Sequence, residues 1–428
     1  MVWLKEGFKV KWVRLGEIGE FVRGNGLTKA DLHPANTDGT LVGAIHYGQI
    51  HTYYNTYTTQ TKSFVSSALA KRLEKARYGD LIIACVSEDV EGVCKAVAYL
   101  GNADICIGGD TLAYRHKQNP KFIAYVFQTT YFASLKAKYT SGVKVIRVRL
   151  ENLKTLKIPL PPLKEQRVIA TFLDHKCAKI AACITKKTRM LALLKEYKQA
   201  LISKITTKGL NPQEHFKPSA VAWLGDIPGH WEIKKGRLLF KNQEIPNFNL
   251  ECQNRLALTL DGMIRKDITC GSGLNPADFR TYQIVKQNDL IFKLIDLDNV
   301  KTSRVGLCHE TGIVSSAYIR LTKINPALCV KYFYYYYYDL YLKRVYNALG
   351  TGVRSTLSSK ELLEIPLPVP PLQEQHAIAA FLDHRLAKLD TLMIKLQTQI
   401  QGLKDYKSAL ISEAVLGQIP LKAKHAKI

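Results

Sequence analysis

From Leu382 onward, apolar residues recur at alternating intervals of four and three: Leu386, Leu389, Met393, Leu396, Ile400 and Leu403, then Leu410 after a break at Lys407. This spacing places them along one side of a helix as a heptad seam, which needs a second helix to cover it. The same seam stands 209 residues earlier as Leu173, Cys177, Ile180, Ile184, Leu191, Leu194 and Leu201, with Lys187 and Lys198 as polar breaks. Lys198 and Lys407 interrupt the two seams at the same place, where a lysine either snorkels at the edge of a helix pair or meets another subunit. Each helix is expected to begin just after a proline pair, Pro161-Pro162 or Pro370-Pro371, with Glu165 or Glu374 in the positive first turn.

The seams belong to an internal repeat. From Pro161 to Ser203, 22 of 43 residues are identical to those 209 positions later, including Pro-Pro-Leu-x-Glu-Gln, Phe-Leu-Asp-His and Ala-Leu-Ile-Ser. Around the helices lie two less similar blocks with strand-like runs at Leu81 to Val86, Val143 to Leu150 and Leu290 to Ile295. They share punctuation: Gly79-Asp80-Leu81-Ile82 answers Asn288-Asp289-Leu290-Ile291, and Asn119-Pro120 and Asn325-Pro326 each resemble a helix cap followed by proline. The run Tyr332 to Tyr338 reads as a helix packed on its own sheet in preference to a base-stacking platform. The fold class is α+β: a mixed α/β globule over 1–157, a helix over 158–209, a second globule over 210–366, and a second helix with a basic tail over 367–428.

Composition then narrows the function. Of 428 residues, 61 are Lys or Arg and 36 Asp or Glu, a net charge of +25 that points to a polyanionic partner, nucleic acid first. Short apolar runs and a polar start argue for a cytoplasmic chain without a membrane span, and nine scattered cysteines for reduced thiols. Reactive constellations are missing. There is no phosphate-cradling Gly-x4-Gly-Lys motif and no three-glycine dinucleotide fingerprint. Leu160 and Val369 precede the proline pairs, and Leu163 and Leu372 follow them, where an amino-methyltransferase carries Asn or Asp and an aromatic. Asp174-His175 and Asp383-His384 are sequence neighbours that diverge by about 100° on a helix, which favours a structural role over acid–base work. Asp80, Glu88, Asp89 and Glu91 read as a solvated loop before they read as a nuclease cluster.

Pro-Pro-Leu-x-Glu-Gln, Phe-Leu-Asp and Tyr-Lys-x-Ala-Leu-Ile-Ser, present twice, resemble the specificity subunit of Type I restriction-modification systems over the whole chain. Trp12 to Ile18 and Trp223 to Trp231 are similar to that family's domain openings, whereas its Ile-Asp step is kept as Leu389-Asp390 but becomes Ile180-Ala181 in the first copy. The resemblance implies two target recognition domains related by a pseudo-two-fold repeat, and two helices paired as an antiparallel coiled coil. It also implies partners: double-stranded DNA, two methyltransferase subunits and restriction subunits. The chain itself would be a non-enzyme without a cofactor or metal, S-adenosylmethionine and ATP residing on those partners. A seam from Leu173 to Ile205 rises about 48 Å, enough to hold two readers one or more DNA turns apart.

Candidate base readers are polar and turn-rich. In the first globule they are Arg23, Asn25 and Lys29, then Tyr53, Tyr54, Asn55, Thr58 and Gln60; in the second, Arg265, Lys266, Lys293, Arg304 and Arg354. The first helix, residues 164–208, carries 11 basic and 3 acidic residues, against 5 and 5 in residues 373–417. Two other classes remain open at this point: a combined methyltransferase or nuclease chain, and a coiled-coil scaffold unrelated to DNA.

Overall fold

The computed structural model describes residues 10–260, 262–266, 278–298, 303–350 and 355–419. Its longest elements are the two helices foretold by the heptads, Leu163–Lys208 and Leu372–Val415. The chain forms two compact units: Met1–Thr188 with Thr398–Ile428, and Arg189–Gln397. Each unit therefore owns one globule and a part of both long helices, although the sequence alternates globule and helix.

In the first unit a five-stranded sheet runs in the order Gly19–Arg23, Thr111–His116, Leu81–Ala84, Ala96–Tyr99, Tyr57–Thr58. Leu81–Ala84 and Ala96–Tyr99 are buried at every position, as expected for short continuous apolar runs at a sheet centre. A second sheet joins Ser63–Val65, Val42–Ile45, Ile105–Ile107 and Lys75–Ala76. The helix Pro120–Val126 lies against the first sheet in a core shared with Leu173, Cys177 and Ile180 of the first long helix and Leu410 and Ile411 of the second.

The second unit centres on an antiparallel sheet ordered Phe240–Asn242, Ile319–Lys323, Leu290–Phe292, Val305–Leu307. The tyrosine run lies in the helix Val330–Leu342, with Tyr332, Phe333, Tyr335, Tyr336 and Tyr337 buried. Tyr332 donates its hydroxyl to the carbonyls of Thr206 and Pro368, so these rings are core. The same core takes Ile202 and Ile205 from the end of the first long helix and Ile378, Leu382 and Leu386 from the start of the second. Of the remaining seam residues, Leu396 is buried, and Ile184, Leu191, Leu194, Leu201, Leu389, Met393, Ile400 and Leu403 are half-buried.

Both globules close in the same way. Lys11–Arg14 pairs antiparallel with Lys157–Leu160, and Glu232–Lys235 with Pro366–Val369, so the strand entering each globule lies beside the one leaving it for a long helix. The shared Asp-Leu-Ile punctuation is a turn. Gly79 (φ +91°) and Asn288 (φ +67°) adopt the left-handed backbone that the tight reversal demands. Asp80 then accepts from the amide of Arg77 and from Arg115, as Asp289 does from Lys286 and Arg320.

Three local expectations are corrected. Val143 to Leu150 yields only the strand Ile146–Val148, because Val143 is 96% exposed and Leu150 opens a short helix. The third long run keeps only Leu290–Phe292 as strand. Asn119 caps Phe122 as expected, but Asn325 closes a turn onto the amide of Ala327, and the following helix starts only at Val330.

Candidate nucleic-acid interface

What positions each globule is a pair of clips built from the repeated motifs. The buried Gln166 donates to the carbonyl of Pro161 (2.8 Å) and to Gln118 (2.9 Å), and accepts from the amide of Asn119 (2.9 Å). Gln375 likewise donates to Pro370 (2.9 Å) and accepts from the amide of Cys329 (3.2 Å). About two helical turns further on, Asp174 holds Lys121 (2.6 Å) and the hydroxyl of Tyr125 (2.8 Å). Asp383 holds Lys331 and Tyr335, each at 2.5 Å. Burial first, and then the neighbouring carboxylate, push both tyrosine hydroxyls far above their ordinary range, so they remain donors. The aspartates are thus committed to fixing globule to helix.

Two of the three lysines that interrupt the seams, Lys187 and Lys198, also find partners. In the second unit Lys198 forms an ion pair with Asp390 at 2.5 Å, and in the first Lys187 donates to Gln399 at 2.8 Å. Because Ala181 stands where Asp390 does in the other copy, Lys407 has no equivalent acid. Glu374 collects the indole N–H of Trp231 (3.0 Å) and lies 2.9 Å from Nε2 of His230, at the first turn of its helix.

The candidate readers of the first globule fall on two braced loops. Asn25 is exposed but bridges the carbonyl of Arg72 and the amide of Glu74, and Arg23 reaches the carbonyl of Gly109, leaving Lys29 free on the surface of that loop. On the other loop Tyr53 is 59% exposed with Lys62 over its ring, and Asn55 and Gln60 are exposed. Tyr54 is corrected: it is buried, and its hydroxyl accepts the amide of Lys62, so it shapes the loop from beneath. Thr58 is spent on the carbonyl of Gln60. The exposed Tyr57, stacked under Lys121 at 3.9 Å, lies on the same polar stretch.

In the second globule Arg265 is exposed but doubly bonded to Glu310, which in turn takes Asn254. That pairing lowers the Glu310 carboxyl below its ordinary range. Lys266 and Lys293 are half-buried. Arg304 is corrected: only 2% exposed, it directs its guanidinium at the carbonyls of Lys293, Ile295 and Asp296 and serves as an internal brace. Arg354 lies outside the described residues.

Comparison with known proteins decides what this arrangement is. The Type I restriction modification DNA specificity domain matches residues 9–189 and 231–401, one stretch for each globule and its helix. The chain belongs to this family. It is a DNA-recognition specificity subunit of a type I restriction-modification system and not itself a catalyst. It is 25% identical over 373 residues to the provisionally named MjaX type I restriction enzyme specificity subunit of Methanocaldococcus jannaschii, covering 82% of each chain. A solved structure described as the basis of assembly and conformational transition of the type I R-M system shares the fold at a TM-score of 0.68 and 16% identity, covering 96% of this chain and 100% of that one. The HsdS subunit from Thermoanaerobacter tengcongensis does so at 0.52 and 15%, covering 97% and 100%.

In this specificity subunit two of the four acidic residues expected in a solvated loop, Asp80 and Asp89, have structural roles, and the expectation is corrected for Asp80, which is not solvated. Asp80 is buried in its turn, where burial outweighs its hydrogen bonds and raises its carboxyl. Asp89 accepts from the amide of Gly92 and from the hydroxyl of Ser87 in a separate loop. Among the described residues no three His, Cys, Asp or Glu side chains converge as metal ligands, and no helix is long and apolar enough to cross a membrane. The eight described cysteines are unpaired, and burial pushes the thiols of Cys85 and Cys94 up to about 12 and 11.

Proposed function

We propose that each globule of this specificity subunit reads one half of a bipartite site in double-stranded DNA. The two long helices pair antiparallel as a coiled coil that sets the gap, and they dock two methyltransferase subunits, which bring restriction subunits into the complex. S-adenosylmethionine and ATP belong to those partners. The observation that carries this reading is the duplicated clip: Gln166 with Asp174, and Gln375 with Asp383, fix two unlike globules to equivalent places on two like helices. Retained anchors with divergent globules suit one scaffold that reads two different sequences. The helix pairing is supported inside each unit, where the start of one long helix shares a core with the end of the other.

Exchange of the first globule, residues 1–157, for that of a related specificity subunit tests the proposal. Methylation mapped across a genome should then change in one half of the recognised site and keep the other half. If both halves changed together, independent reading by the globules would be wrong.

A further inference from the structure

The two globules build matching sheets that end differently. Four strands correspond in order: Gly19–Arg23, Thr111–His116, Leu81–Ala84 and Ala96–Tyr99 in the first, and Phe240–Asn242, Ile319–Lys323, Leu290–Phe292 and Val305–Leu307 in the second. The first sheet then adds Tyr57–Thr58, parallel to Ala96–Tyr99. In the second, among the described residues, no strand lies beyond Val305–Leu307.

In the first globule the added segment is held from two sides. The carbonyls of Thr56 and Thr58 accept the amides of Ala98 (3.0 Å) and Leu100 (2.8 Å). From the helix Pro120–Val126 and the residues after it, Lys121 lies over the ring of Tyr57 at 3.9 Å and Gln128 donates to the hydroxyl of Thr56 at 3.0 Å. Strand register identifies the counterparts: Ala98 faces Leu81 and Leu307 faces Leu290, so Leu307 and His309 stand where Ala98 and Leu100 do. Cys308 donates its amide to Asp289, and Arg304 accepts that of Lys293. The alternation of an antiparallel ladder then turns the N–H groups of Leu307 and His309 to the open edge. Among the described residues neither has a partner. Ser303 closes this edge only at Val305, whose N–H and carbonyl both bond to its hydroxyl.

Beside the edge lies a cleft of about 660 Å³, lined by Ser303, Leu307 and His309, by Lys331 and Tyr334 of the helix Val330–Leu342, and by Leu386 of the second long helix. Lys331 and Lys121 hold corresponding aspartates, yet the Lys331 and Asp383 side chains are 41% and 38% exposed, against 30% and 21% for Lys121 and Asp174. The second clip lacks the cover that Tyr57 gives the first.

We propose that this edge takes an extended segment of a partner protein as a fifth strand, parallel to Val305–Leu307, with an aromatic side chain laid against Lys331. Strand addition to an open sheet edge draws affinity from main-chain hydrogen bonds and selectivity from side-chain pockets. An uncovered edge is otherwise open to indiscriminate pairing. The first globule displays the chemistry that fits, an uncharged run of hydroxyl and aromatic residues, Thr56-Tyr57-Thr58. This strand site is separate from the half-site reading above and stands if that reading fails.

The probe is a synthetic peptide of residues 53–60 of this chain, Tyr-Tyr-Asn-Thr-Tyr-Thr-Thr-Gln, titrated against the full chain by fluorescence anisotropy. Binding should saturate, and Tyr57→Ala in the peptide should weaken it about fivefold, as for a partly exposed cation–ring contact. Hydrogen exchange should slow over residues 303–309 when the peptide binds. In the chain, His309→Pro removes one edge N–H at an exposed position and should also weaken binding. Circular dichroism checks that this variant folds, and the peptide pair decides the matter if it does not. In the complex isolated from its host, residues 303–309 should exchange more slowly than in the chain alone. Peptide that fails to saturate, a Tyr57→Ala peptide that binds as well as the parent, or equal exchange in complex and free chain would each overturn the proposal. Edge amides already protected in the dilute chain would assign the edge to this chain itself, and protection that rises with its concentration would assign it to a second copy. Either result would overturn the partner strand.

Discussion

Replacing either clip glutamine by leucine should loosen one globule from its helix and leave the other untouched. Leucine nearly preserves volume but removes every polar contact. At Gln166 three hydrogen bonds disappear, stranding the amide of Asn119 and the carbonyl of Pro161; at Gln375 two disappear, stranding Cys329 and Pro370. A typical hydrogen bond contributes about 1 kcal/mol, and a buried group left without a partner costs about 1–3 kcal/mol. The Gln166→Leu change should therefore cost about 3–5 kcal/mol, and Gln375→Leu about one hydrogen bond less. Urea unfolding gives the total, and hydrogen exchange resolved by peptide gives the place. Protection should fall in Pro120–Val126 and its sheet for the first variant, and in Val330–Leu342 for the second. A variant within about 0.5 kcal/mol of the parent, or loss of protection in the wrong unit, would refute the reasoning.

Two further outcomes follow from the contacts. Ala181→Asp should supply Lys407 with the acid that Lys198 already has in Asp390, stabilising the first unit by about 0.5 kcal/mol; a double-mutant cycle with Lys407→Met that shows no coupling would contradict this. Burial lowers His116 to about 4, with its Nε2 enclosed and unbonded, so it folds neutral while the unfolded chain titrates at about 6.5. Between those values the unfolded state binds more protons, so stability conferred by His116 is complete above pH 6.5 and is lost as pH falls toward 4, by about 3 kcal/mol in total. A His116→Phe variant should have a flatter stability profile over that range, and an unchanged slope would refute the assignment.

The long helices and their repeat were legible because seam spacing and motif identity are local properties of the sequence. The clips were half legible: Gln166 and Asp174 stood out as repeated, but their partners, Asn119 and Tyr125, come from a helix some fifty residues away whose docking no local pattern encodes. Among the candidate readers the errors have one cause. Arg304 and Tyr54 are polar enough to suggest a surface, yet one is buried on main-chain carbonyls and the other carries its hydroxyl under a loop. A polar residue type indicates what a side chain can bind, and only tertiary packing decides whether the bond is spent inside.

The division of both helices between the units bears on synthesis. The second unit is one continuous stretch, Arg189–Gln397, whereas the first is completed by residues from Thr398 onward. Its core needs Leu410 and Ile411, and Thr130 bonds to the hydroxyl of Ser412 across 282 residues. As the chain emerges, the globule made first waits longest for its last contacts, and its waiting surface includes the apolar seam from Leu173 to Ile184. At about 5–20 residues per second this exposure lasts on the order of ten seconds or more. The earlier-born half is therefore the one that an interrupted message leaves without its closing contacts.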